Sequence, residues 1–120
     1  MQASHLATGE ASEQIAENHL IAHGLITVAK NVRFKAGELD LVCLDGKELV
    51  FVEVRFRKND TFGSAVESVT RPKQRKVIKA AALFLQQNRE WEKHIMRFDV
   101  VGIDSNHKVD WIKGAFLATV

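Results

Sequence analysis

Apolar and polar positions alternate most regularly between Gly37 and Arg57. Leu39, Leu41 and Cys43 fall on one face of a first strand, and Val50, Val52, Val54 and Phe56 on one face of a second. Between the two runs stands Asp45-Gly46, a strong two-residue hairpin signal. The opposite faces carry Glu38 and Asp40, then Glu53, Arg55 and Arg57. Charges in the middle of apolar strands are costly unless paired or bound to a cation. Such a conflict between local chemistry and global pattern marks a functional site.

Counting through the turn tests whether the acids meet. With Asp45 and Gly46 as the central turn residues, Glu38 faces Glu53, and Asp40 is its diagonal neighbour on the same face. A four-residue loop sets Asp40 directly opposite Glu53. A three-residue loop breaks the match. Two of the three simplest turns therefore gather carboxylates that suit a hard divalent cation such as magnesium.

The flanking pattern supplies two helices and three more strands. Residues 8–23 carry a loose apolar stripe of Ala11, Ile15, Ala16, Leu20 and Ala22, with Thr8 as expected cap and Gly24 as stop. Glu10, Glu13 and Glu17 lie toward the amino-terminal part, and Glu10 is expected in the first turn. His19 and His23 stand four apart, but no third ligand signature accompanies them. Residues 25–32 read as a strand and residues 31–35 as the turn into the hairpin. Residues 58–69 read as a polar loop with Gly63 as breaker. Thr70 caps a helix that tolerates Pro72 in its first turn and runs to about Asn88. Its buried stripe is Val77, Ile78, Ala81, Phe84 and Leu85. Strands are expected over residues 97–103 and 109–112, and the segment 114–118 looks too short to carry much. Trp91 and Trp111 read as packing anchors. A helix that crosses between the hairpin and the later strands implies an α/β fold with a mixed sheet.

The 120 residues suffice for one compact domain, taken as residues 1–120. The single cysteine, Cys43, forms no internal disulfide and reads as a small core residue. The amino terminus has neither a secretory pattern nor a membrane span, so a cytoplasmic location with no membrane partner is expected. Net charge is +2, unevenly placed. From Arg55 to Lys79 eight basic residues meet only Asp60 and Glu67, a local +6 against −4 elsewhere. A local basic field points to a polyanionic partner.

Asp40 followed by Glu53-Val54-Arg55 resembles the PD-(D/E)xK nuclease pattern, an acid on one strand and acid-x-lysine on the next. Gly9-Glu10, Gly37-Glu38-Leu39-Asp40-Leu41, Phe51-Val52-Glu53-Val54-Arg55 and Arg97-Phe98-Asp99-Val100-Val101 follow in order. Together they resemble the bacterial YraN-type uncharacterised family over nearly the whole chain. The resemblance implies a restriction endonuclease-like fold, similar to Holliday-junction resolvases, with a five-stranded mixed sheet and flanking helices. It implies magnesium or manganese held by Asp40, Glu53 and the Val54 carbonyl, with Glu10 as an additional acid. It implies nucleic acid, DNA before RNA, held by Arg57, Lys73, Arg75 and Lys76, and a homodimer on symmetric junctions. The activity implied is metal-assisted phosphodiester hydrolysis of branched or structured DNA. Arg55 departs from the usual lysine: it donates bidentately to phosphate but does not readily lose a proton. The first acid is preceded by Glu38-Leu39, not proline. A nucleic-acid-binding protein without turnover and a protein-interaction scaffold on the same fold stand as alternatives.

Overall fold

The computed structural model describes residues 5–57 and 65–118. Its elements are α1 (His5–Ala22), β1 (Ile26–Phe34), β2 (Gly37–Asp45), β3 (Glu48–Arg57), α2 (Arg71–Gln87), β4 (Ile95–Asp104) and β5 (Val109–Phe116). Short 3-10 turns cover Val66–Ser68 and Arg89–Trp91. The five strands lie in sequence order; β3 and β4 run parallel and every other neighbouring pair antiparallel. Only the parallel pair needs a crossover, and α2 supplies it. This α/β arrangement, a mixed five-stranded sheet with a helix on each face, matches the restriction endonuclease-like class.

Each face of the sheet buries its own core. Val42, Leu49, Phe51, Phe98 and Phe116 pack under Val77, Ala80, Ala81 and Phe84 of α2. Leu41, Cys43, Val50, Val52, Val101 and Ile103 pack under Ala16 and Leu20 of α1. Burial in that second core pushes the Cys43 thiol up to about 12, so it stays a neutral core group. No helix among the described residues is long and apolar enough to cross a membrane.

Several boundaries differ from the sequence reading. Helix α1 begins at His5, so Thr8 lies inside it and no acid occupies its first turn. Its buried residues include Ser12, Ala16 and Leu20, whereas Ala11 and Ala22 are exposed. Gly24 does end the helix, at φ 94, while the Leu25 N–H closes back on the Leu20 carbonyl at 3.0 Å. Strand β1 continues through Phe34 where a turn was expected from residue 31. The kink there, Asn31 at φ 52, is absorbed within the strand. Strand β5 runs to Phe116, whose ring stacks on Phe98 at 5.1 Å, so the expected tail is part of the core. Thr70 accepts the Lys73 N–H at 3.5 Å and caps α2 as read. The loop expected at residues 58–69 lies outside the described residues up to 64, including Gly63. His19 and His23 face each other at 4.4 Å and meet the Trp111 ring edgewise.

Candidate metal and nucleic-acid site

The hairpin turns one residue later than Asp45-Gly46 predicts. Asp45 pairs with Glu48, leaving Gly46-Lys47 as the loop, with Gly46 at φ 61. Gly46 occupies this left-handed position at no steric cost, which explains the shift. The ladder runs from Asp45↔Glu48 to Leu41↔Val52. One further step in that register sets Asp40 opposite Glu53, not diagonal to it.

At that point the paired strands stop obeying simple alternation. Leu41 belongs to the α1-side core, but Leu39 packs on the α2 side with Leu49 and Phe51. Their partners on β1 divide the same way: Val32 packs toward α2, whereas Lys30 reaches Glu17 of α1 at 3.2 Å. The positive φ of Asn31 lies between them and rotates the strand. The expected shared face of Leu39, Leu41 and Cys43 is therefore broken at Asp40. Beyond the ladder the Val54 N–H donates to Asp40 Oδ2 at 2.9 Å. A side chain has taken a backbone donor, and this fixes the Asp40 carboxylate at the end of the β2–β3 pair.

Asp40 and Glu53 line one cleft of 320 Å³ with Glu13, Glu38 and Arg55. Lys73 and Lys76 of α2 form its basic wall. Glu53 is 6% exposed. Its Oε1 takes a long contact of 3.4 Å from Arg55 Nη2, and its Oε2 is buried without a protein partner, as is Arg55 Nε. Burial first, then the neighbouring Asp40 charge, pushes the Glu53 carboxyl up to about 8. Asp40 is raised by burial and by Glu38, against the pull of the Val54 N–H. Glu13 is raised by burial and by Asp40. Three acids in one cleft thus resist ionisation together, the electrostatic condition a divalent cation relieves.

Among the described residues no three His, Cys, Asp or Glu side chains form a ready-made metal cluster. The donor set is a carboxylate pair. Magnesium is bound in that manner, by one or two carboxylates while keeping several waters. The orphaned Glu53 Oε2 supplies the specific fit.

The sequence-nominated residues divide. Asp40, Glu53, Val54, Arg55, Lys73 and Lys76 line the cleft. Glu10 is exposed and lines a neighbouring 200 Å³ cavity with Glu13, Glu17 and Lys30. Arg57 lines a separate cavity with Asp104 and Asp110, and Arg75 is exposed on α2 away from the cleft wall. Glu13 is the acid that the sequence reading passed over. A buried stripe drawn through Ser12, Ala16 and Leu20 places Glu13 about 100° from Ser12 and Glu10 about 160° away, at 3.6 residues per turn. The stripe drawn through Ala11 hid this.

One glycine holds the acidic strand against the basic helix. A Cβ at Gly37 would meet the Lys76 carbonyl oxygen at 2.6 Å and its carbon at 3.1 Å. Both are helix backbone, which does not swing aside. Gly37→Ala is expected to cost about 1–3 kcal/mol as an overpacking substitution. Calorimetry should show a lower Tm; an unchanged Tm would mean that α2 and β2 are not locked here.

The sequence model of "Uncharacterised protein family UPF0102" matches residues 12–103. A UPF0102 protein of Ectopseudomonas mendocina is 50% identical over 115 residues, covering 94% of this chain and 97% of that protein. One from Saccharophagus degradans is 47% identical over 114 residues, covering 95% and 96%. Another from Pseudomonas fluorescens is 47% identical over 114 residues, covering 94% and 95%. With a match across most of its length and relatives of nearly equal extent, the chain belongs to UPF0102, the YraN-type family that its motifs resemble.

Proposed function

We propose that the protein hydrolyses phosphodiester bonds in DNA with the help of magnesium or manganese. The reading rests on one observation above the others. The buried Glu53 and the half-buried Asp40, from adjacent strands, share a cleft whose wall carries Lys73 and Lys76. A metal-binding pair beside phosphate-binding cations is what hydrolysis of a polyanion requires.

Asp40 and Glu53 would hold the cation, which when bound supplies charge neutralisation and a more acidic water. The Val54 N–H keeps Asp40 oriented. Lys73 and Lys76 draw the nucleic-acid backbone to the cleft mouth, an attraction that carries no sequence information. Arg55 contributes a fixed positive charge, with its Nε not yet committed to a protein acceptor.

A second reading, binding without turnover, is favoured by Arg55 itself. It occupies the expected lysine position and leans on Glu53 at 3.4 Å. Linear, single-stranded and branched DNA substrates with magnesium or manganese decide between the readings. Wild-type cleavage that Glu53→Gln abolishes supports the nuclease. Arg55→Lys should then keep part of the activity if a fixed charge suffices. Salt-dependent binding with no cleavage by either protein supports the second reading.

A further inference from the structure

Helix α2 carries Arg71, Lys73, Arg75, Lys76 and Lys79 and no acid; none occurs between Glu67 and Glu90. All five cations are exposed. None has an ion pair among the described residues. Their placement works against the helix. Cations crowd its amino-terminal half, where the macrodipole disfavours them. Arg71, Arg75 and Lys79 repeat at four-residue spacing, which sets like charges beside one another. A helix that tolerates both penalties is adapted to something other than its own stability.

The cations form two tracks. Lys73 and Lys76 line the cleft. Arg71, Arg75 and Lys79 lie on the outward side, opposite the face that buries Val77, Ala80, Ala81 and Phe84. The two tracks are centred about 130° apart at 100° per residue, and the outer one extends about 12 Å along the axis. The helix between them is about 10–12 Å across with its side chains. That width matches the major groove of B-form DNA, about 12 Å, whose rims are the two phosphate backbones. The groove of A-form RNA is too narrow for side chains to read.

We infer that α2 lies in the major groove of duplex DNA, with Lys73 and Lys76 on the strand led to the cleft and Arg71, Arg75 and Lys79 on the opposite strand. This rests on the nucleic-acid reading of the cleft and narrows it to double-stranded DNA. The outer track is distinct from the cleft wall, and it makes two-stranded substrate the better ligand.

The test is binding, measured without magnesium so that no cleavage intervenes. The probes are a short DNA duplex, its single strand and an RNA duplex of the same sequence, each over a range of salt. The triple variant Arg71→Ala, Arg75→Ala, Lys79→Ala should fold with an unchanged or higher Tm, since like-charge repulsion is removed. On duplex DNA its slope of log affinity against log salt should shrink by about 2.7, three phosphate contacts at about 0.9 each. On the single strand the slope should fall by less than about 1, so the preference for duplex is lost. Equal losses on duplex and single strand would overturn the two-track placement. So would wild-type protein that binds the RNA duplex as tightly as the DNA duplex. Wild-type protein that binds none of the three would instead remove the nucleic-acid reading itself.

Discussion

Asp40→Asn and Glu53→Gln should each reduce metal-dependent cleavage by more than about 100-fold, because losing even an outer-shell partner of a metal site costs about 10–100-fold. Both variants should nevertheless be more heat-stable than wild type without metal at alkaline pH. The sign follows from the carboxyl of Glu53, raised from 4.5 to about 8 by burial and by Asp40. An unfolded chain releases that proton near 4.5, while the folded chain holds it until about 8. Between those values the folded state binds more protons, so stability falls as pH rises and levels off above the folded value. Asp40, also raised, adds a contribution of the same sign. Glutamine at position 53 cannot ionise and should flatten the decline. Magnesium should flatten it in wild type, because a ligand that binds only the folded state stabilises by mass action. Melting temperatures from pH 5 to 9, with and without magnesium, measure all three effects. A wild-type profile that is flat or rises with pH would show that the two carboxylates do not burden each other.

The carboxylate pair was legible because side-chain parity needs nothing beyond the sequence. Two of the three simplest hairpin loops bring the acids to one face, and continuing the observed register one step past Leu41↔Val52 sets Asp40 opposite Glu53. Parity could not foresee that the strands would switch faces at Asn31 and Asp40. That switch accompanies one positive φ in β1, at Asn31, inside a run that otherwise reads as a strand. The cap and stripe of α2 were readable for a similar reason: Thr70, Pro72 and the apolar spacing all act locally. Helix α1 was harder. Its buried face includes Ser12 and Glu17, both polar, so a stripe of apolar residues found Ile15, Ala16 and Leu20 but extended wrongly to the exposed Ala11 and Ala22. Glu17 is buried because Thr27 and Lys30 bind its carboxylate, at 2.7 and 3.2 Å. Those partners come from another element and leave no local signal. The same limit moved the helical acid of the cleft from Glu10 to Glu13.

Asp99 shows how a motif residue acquires a role that spacing alone does not reveal, and its replacement should have the largest effect on stability. It is fully buried on β4. Arg97 grips it bidentately, Nε to Oδ1 and Nη2 to Oδ2, both at 2.9 Å. Trp111 Nε1 donates to Oδ2 at 2.9 Å and the Gly114 N–H to Oδ1 at 3.0 Å. Four donors therefore satisfy two oxygens, and two of those donors belong to β5. Arg97 continues the network to Asp45 and Glu48 at the hairpin, at 3.0 and 2.6 Å. One buried carboxylate thus ties the edge strand to the strands that carry the cleft. Asp99→Ala leaves Arg97 Nε and Nη2, the Trp111 Nε1–H and the Gly114 N–H without their acceptor, while Arg97 Nη1 keeps Asp45 and Glu48. Breaking a buried pair in this manner costs about 3–5 kcal/mol. At roughly 4 °C per kcal/mol, Tm should fall by more than about 10 °C. Arg97→Met with Asp99→Leu should be milder than Asp99→Ala alone, because no buried charge is stranded. Asp99 does not line the cleft, so cleavage by Asp99→Ala should follow its folded fraction. Near-wild-type activity at low temperature and steep loss on warming would assign Asp99 to the scaffold. Full loss of activity in a variant shown to be folded would assign it to the chemistry instead.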